Sequence, residues 1–514
     1  MKILKFARKH KVAAVIILAI VIRLTVALMY STAGDSCSHF YTTLFFARHL
    51  RLPGYGEVTH DEVPFFAPPF FYVTAGLLSR LLGVGTVAAF IFIKLSPVFF
   101  GSLQIFFSYL IVKKLANEKY AFWSTVFLSF LPLHIFYSSV TFTDMPVAFL
   151  VTLSLFFLIN KRYSWSAIAC GAAVLTKSSA LFFLPVVILY YYLEIIAGSE
   201  SVRKYQMFIL RNLKYWFVGA LTGSIWLIRN YLVFRNPFYP FLGNIFRSTG
   251  EVVRTTSYNF SLHPLLVPKN YAEFVLDFFG LPSGRISLIS SVFKGKLFVL
   301  FCLWLSVCII ISLPFLFGLW GSTKRWKRLD NKIKKTVALS LGLVAAFFVM
   351  QMIYFTYWHE SFTRLILPSI IGYAFFWAYG TEFLLGKLSK NYKKLFYILL
   401  CGVIVMFVSG EIVKVTYATS LRSKYFPDYQ WIAKNTPKNA KIYEEGDVCI
   451  QFYTGRISMI NPKRIQDAQY IFQSKLTPLI PYEIKRLNLN ETLKDYKLVY
   501  SNPNSQTSIY ERKS

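Results

Sequence analysis

Charge is what this chain has least of for its size. Asp, Glu, Lys and Arg make up 16% of its 514 residues, against about 25% in an ordinary soluble domain. Acids are scarcer still, 24 against 56 Lys and Arg. Beside 55% hydrophobic residues and a mean hydropathy of +0.48, this shortage excludes a soluble globular protein. The six cysteines form no CxxC pair, so there is no zinc-finger spacing. Cys170, Cys302, Cys308 and Cys401 sit inside apolar segments. No internal repeat, low-complexity tract, RNP-like motif or long basic tail occurs, so the formal net charge of +32 does not point to nucleic acid. In a membrane protein, basic residues gather in cytoplasmic loops and beside anionic headgroups.

What the chain has instead is apolar runs of about 20 residues, the length of a helix that crosses a bilayer. Spans are expected at 12–30, 88–112, 121–138, 144–160, 164–177, 179–195, 212–233, 296–319, 336–356, 363–385 and 395–415, about eleven in all. The basic N-terminus (Lys2, Lys5, Arg8, Lys9, Lys11) is expected in the cytoplasm. Arg23, the one charge in the first span, either snorkels or faces the bundle. The run 68–82 is short for a span. If it does not cross, the basic connections at Lys113–Lys119, Lys161-Arg162, Arg203–Lys214, Lys324–Lys335 and Lys387–Lys394 all fall in the cytoplasm. If it does cross, they fall outside, so it is expected to lie along the outer surface. The pattern makes a multi-pass protein of the cell membrane, mainly α, a polytopic helical bundle. A transmembrane domain is expected over 1–417, with outer loops 31–87 and 234–295. A small extracytoplasmic α/β domain is expected over 418–514. There, short strands at Lys441–Tyr443, Val448–Tyr453, Tyr470–Ile471, Lys497–Tyr500 and Ser508–Tyr510 accompany a helix in DYQWIAKNTP. Cys37 and Cys449 fall on the same side by this count. A disulfide between them is compatible with that placement, but two cysteines alone do not establish it.

Ionisable residues where a membrane helix meets water are costly unless they have work to do. Asp35 ends the first span. Asp144 stands where the third span turns into the fourth; the plainer reading there is a helix start, with Thr143-Asp144 as cap and Pro at the first helical position. Lys177, Arg229 with Asn230, and His359, Glu360 and Arg364 reach the same side. Each cation alone would pass for an interfacial anchor beside Trp and Tyr. Together they ring a pair of acids and suit an anionic lipid-phosphate substrate, with Arg and Lys holding the phosphate as leaving group. A carboxylate then deprotonates the attacking hydroxyl or amine. His39, His60, Asp61 and Glu62 in the first outer loop are further expected substrate contacts. With Asp35 and Asp144 they also offer oxygen and nitrogen ligands for a divalent ion.

The loop around Asp35, APPFFYVTAGLLSRLLG, FTDMP, GAAVLTKSSALFFLP, WLIRNYLVFRNPFYP, FTRLILP, WIAKNTPKNAKIY and FYTGR occur in an order and spacing that resembles the GT-C glycosyltransferases. The resemblance is to the branch of protein O-mannosyltransferases and aminoarabinose lipid A transferases. It implies transfer of a sugar from a polyprenyl or dolichyl phosphate donor to a protein, lipid or glycan acceptor on the outer side, with inversion. It implies Asp35 as catalytic base, Asp144 as the second-loop acid, and Lys177, Arg229 and Arg364 near the donor phosphate. It also implies no cofactor and no metal, although the related oligosaccharyltransferases use a divalent ion. One departure is Ala67 before Pro68-Pro69, where relatives often carry His, Lys or Glu; His60, Asp61 or Glu62 would then supply the contact. The competing classes are a transporter or flippase of a lipid-linked sugar and a non-catalytic scaffold.

Overall fold

The computed structural model describes residues 10–54, 57, 65, 67–198, 202–239, 246, 263–267, 271, 274–275, 278–279, 297–358, 363–444, 449–459, 462–474 and 492–513. Its helices are α1 (Lys11–Met29), α2 (Asp35–His49), α3 (Phe70–Leu81), α4 (Val87–Leu115), α5 (Glu118–Phe130), α6 (Pro132–Tyr137), α7 (Asp144–Ile159), α8 (Tyr163–Val174), α9 (Leu184–Gly198), α10 (Val202–Phe234), α11 (Leu297–Lys324), α12 (Asn331–Trp358), α13 (Ile370–Lys387), α14 (Lys390–Ser423), α15 (Phe426–Asn435) and α16 (Ile450–Thr454). Each of the eleven expected spans corresponds to a helix or a broken helix. Among the described residues, seven are long and apolar enough to cross a membrane by themselves, and the protein is a multi-pass membrane protein. The other four are shorter or interrupted: α5 with α6, α7, α8, and α13 behind the 3-10 turn Thr363–Ser369. α7 can be apolar on every side because it is buried nearly all round by its neighbours, from Asp144 to Ile159.

The break between α5 and α6 has a clear cause. Pro132 has no N–H to give the Leu128 carbonyl, so α5 ends with unsatisfied acceptors. Arg23 fills the gap from α1. Its guanidinium donates to Leu128 O, Ser129 O and Ala19 O, each at 3.0 Å, and lies 2.8 Å from His134 Nδ1. Arg23 therefore faces the bundle rather than snorkelling, and it is fully buried. A cation at a helix C-terminus also suits the helix dipole. Elsewhere the bundle is closed by small residues. α11 and α13 touch so closely that a Cβ on Gly380 would collide with the Pro314 carbonyl, and one on Gly318 with the Phe376 carbonyl.

α3 has 12 residues, about 18 Å of helix, short for a span. Leu77, Leu78 and Leu81 are exposed on it while Phe71, Tyr72, Ala75 and Ser79 are buried. α14 runs unbroken through the expected domain boundary at 417 to Ser423. Beyond it lies a five-stranded mixed sheet in the order β2-β1-β3-β5-β4, with β1 (Lys441–Glu444), β2 (Ile457–Met459), β3 (Tyr470–Ser474), β4 (Tyr496–Asn502) and β5 (Thr507–Arg512). β1 pairs in parallel with β2 and β3, and β5 runs antiparallel to β3 and β4. Four of the expected strands and the helix in DYQWIAKNTP are present. The fifth is a correction: residues 450–453 form the helix α16, and the strand lies at 457–459. Gly455 in the left-handed conformation, φ 69°, ends α16 and turns the chain into β2.

α16 sits on the first loop. Cys37 and Cys449 form a disulfide, with Cα atoms 5.2 Å apart and a sequence separation of 412. Phe452 packs edge-on against Phe40 of α2, with ring centroids 5.1 Å apart, and near Phe90 of α4.

Candidate active site

Asp35 is the first residue of α2. Its predecessor Gly34 has φ +54°, in the region that favours glycine. One turn on, His39 shares the face of Asp35. Its Nδ1 is 2.6 Å from Tyr72 Oη of α3, and its ring meets Phe142 at 5.6 Å. α3 is placed by a backbone bond, Phe70 N–H to Leu175 O at 2.9 Å. That bond sets the start of α3 two residues from Lys177, which follows α8. Asp144 is the first residue of α7 and Pro146 the third. The expected proline at the first helical position is thus moved by two, and Thr143 makes no side-chain cap. The carboxylate itself occupies the dipole-favoured helix start.

Four charges converge here. Lys177 Nζ donates to Asp144 Oδ1 at 2.6 Å. Arg364 Nη2 donates to Asp35 Oδ2 at 3.3 Å, and its Nε lies 3.9 Å from Asp144 Oδ2. The guanidinium also stands 4.9 Å over the Phe142 ring, a cation–π contact. The two acids differ sharply in access. The Asp35 side chain is 50% exposed and that of Asp144 2%. Asp144 is locked between two cations, and Asp35 faces the open side.

Burial depresses the His39 imidazole to about 4, with Asp35 and Asp144 pulling it up and Arg364 and Lys177 pushing it down. His39 is therefore neutral at pH 7 and is no phosphate-binding cation. Burial, and then Asp144 and Asp35, raise the Tyr72 phenol, which stays protonated.

Of the residues expected from sequence, Asp35, Asp144, Lys177, Arg364 and His39 come together. Arg229 does not join the ion pairs. It donates to Asn230 Oδ1 at 2.9 Å and lies over the rings of Trp226 and Phe234 at 4.7 and 5.5 Å. Trp226 meets Phe65, which meets Tyr72, so a run of ring contacts leads from Arg229 to the partner of His39. Asn230 is buried. Ala67 packs with the apolar cluster of Phe71, Tyr72 and Ala75 and brings no charge. His60, Asp61, Glu62, His359 and Glu360 lie outside the described residues. Tyr72, Phe142 and Tyr354, the last within electrostatic reach of Asp144 and Arg364, were not foreseen. They are aromatics in an aromatic-rich chain, and only their contacts mark them.

Residues 83–225 match the family model described as dolichyl-phosphate-mannose-protein mannosyltransferase. An uncharacterized protein of Aquifex aeolicus (strain VF5) is 31% identical over 196 residues, 35% of this chain. The match spans about a third of that relative's length, 36%. Among solved structures, ArnT from Cupriavidus metallidurans bound to undecaprenyl phosphate superposes with a TM-score of 0.58, at 14% identity and over 97% of either chain. The oligosaccharyltransferase AglB of Archaeoglobus fulgidus, in complex with an inhibitory peptide and a dolichol-phosphate, gives 0.55 at 11% identity, over 99% of this chain and 75% of that one.

This chain has the GT-C fold. The likeness to ArnT runs over 97% of the chain and so takes in the C-terminal sheet as well as the helical bundle. Within this fold, the first residues of α2 and α7 are the two acids. The segments before α9 and α13 carry the two cations paired with them.

Proposed function

We propose that this GT-C protein is an inverting glycosyltransferase. It takes a sugar from a polyprenyl-phosphate donor and passes it to a hydroxyl or amine on the outer face of the membrane, with Asp35 as base. The observation that carries the reading is the pair of unequal acids joined through Arg364. An exposed carboxylate can meet an acceptor, while a buried one, already neutralised, can only hold its cations. In this scheme Lys177 and Arg364 grip the donor phosphate, and the charge it gains as the sugar leaves falls between them. Asp35 accepts the acceptor proton during a single displacement. One base suffices, which agrees with inversion; a retaining mechanism needs a second carboxylate as nucleophile. The solved GT-C structures that hold undecaprenyl phosphate or dolichol-phosphate support the donor class.

A resident divalent ion fits these residues poorly. Asp144 already gives one oxygen to Lys177 and turns the other to Arg364, so an ion there would have to displace a paired, partly buried ammonium. The transfer reaction therefore relies on the two fixed cations.

The test is direct. Membranes holding the intact protein, or its Asp35→Asn variant, are given a panel of labelled polyprenyl-phosphate sugars, and labelled products are identified. No transfer from any donor overturns the reading. Movement of donor across sealed vesicles without product would favour a transporter instead. Lys177→Met removes one charge-assisted contact, worth about 1.5–3 kcal/mol. Inhibition by undecaprenyl phosphate should weaken on the order of 10- to 100-fold. The orientation is checked by cysteine labelling in a Cys401→Ser background. Leu81→Cys should react with an impermeant maleimide from outside, and Lys119→Cys from the cytoplasmic side alone.

A further inference from the structure

We propose that the C-terminal domain is a positioning element for Asp35, acting through α16 and the Cys37–Cys449 disulfide. This rests on the reading of Asp35 as base. Residues 30–34 belong to neither α1 nor α2, so α1 alone does not hold the segment that presents Asp35. Beside the local bonds between Ser36 and Ala33, contacts from the far end of the chain hold it. Tyr453 Oη donates to Thr32 O at 2.7 Å. Cys449 is bonded to Cys37, two residues beyond Asp35, and its Sγ lies 3.9 Å from Gly34 O. Ser31 N–H donates to Thr419 Oγ1, which donates to Met29 O. Gln451 Nε2 donates to Glu57 O at 2.8 Å, tying α16 to the chain beyond α2 as well. Phe452 fills the space against Phe40. Backbone atoms before Asp35 are thus held by Thr419 and Tyr453, and the Cys37 side chain beyond it by Cys449.

Asp35 itself is half exposed, and its ion pair to Arg364 is long. Half of its side-chain surface is open to solvent, so where the carboxylate aims follows the backbone that carries it. Removing the tether should leave Asp144, Lys177 and Arg364 in place, since Lys177 and Arg364 are held at Asp144 by their own ion pairs. The expected signature is a lower kcat with donor binding intact. Both cysteines are fully buried, so reduction requires local opening and is slow.

The experiment compares oxidised wild type with Cys449→Ser, with Tyr453→Phe, with the double variant, and with folded wild type treated with dithiothreitol. In that treatment two electrons pass from the dithiol to the sulfurs. Two protein thiols form and the dithiol closes to its cyclic disulfide. Misplacing a catalytic group by about 1 Å can cost on the order of 100-fold, so kcat in the double variant should fall roughly 10- to 100-fold. Inhibition by undecaprenyl phosphate should not change, and amide exchange in peptides covering 30–37 should quicken. Unchanged kcat and exchange in the double variant overturn the proposal. So does a parallel loss of donor binding and melting temperature, which marks a merely structural tether. Should oxidised wild type transfer no sugar, the transfer reading fails by itself. Exchange at 30–37 then still decides whether α16 orders the Asp35 segment.

Discussion

Asp35→Asn should leave a folded, membrane-inserted protein that transfers sugar about 10²- to 10⁴-fold more slowly. The change preserves shape and removes only the group that takes the acceptor proton. Its structural cost should be small, because exposed ion pairs are worth about 0–1 kcal/mol and the Arg364–Asp35 pair is long and half exposed. Thermal melting and undecaprenyl-phosphate inhibition should therefore match wild type while product formation collapses. Intact activity in a folded Asp35→Asn protein would remove this residue from the mechanism.

Asp144→Asn should behave in the opposite way and strike stability first. The carboxylate is almost wholly buried and compensates Lys177 at 2.6 Å and Arg364 at 3.9 Å. Breaking a buried pair by removing one partner costs about 3–5 kcal/mol, because a charge is left buried without its counter-ion. A marked fall in melting temperature is expected, with transfer lost as the cations shift. Adding Lys177→Met removes one uncompensated charge and should restore part of the stability. It should not restore transfer, since a phosphate-holding cation has gone. Stability that stays at the wild-type level in Asp144→Asn would contradict a role in holding the two cations. Recovery of transfer in the double variant would contradict it as well. Together the two variants separate an acid that reacts from an acid that positions.

Much of the fold was legible because hydropathy is a local property. Each span announces itself in its own residues, and the distribution of Lys and Arg put 68–82 on one surface, in keeping with the short α3. The misreadings were local as well. Residues 448–453 form a short apolar run that suits a strand, but 450–453 are helical, packed on α2 through Phe452 and ended by the left-handed Gly455. Pro146 looked like the first helical residue, whereas α7 starts at the acid. Pairing, by contrast, is not a local property: Arg229 is basic and interfacial like Lys177 and Arg364, yet it bonds Asn230 and stands over Trp226 and Phe234.

A multi-pass bundle with a small α/β appendage, and the placing of Asp35, Asp144, Lys177 and Arg364 on one face, were legible in the residues alone. Their pairing and exposure come from the tertiary structure. Exposure and pairing depend on distances between groups such as Asp35 and Arg364, 329 residues apart. No local pattern encodes which acid is sealed between cations and which stays open. Nor does any pattern reveal that the segment around Asp35 is held by residues from the far end of the chain.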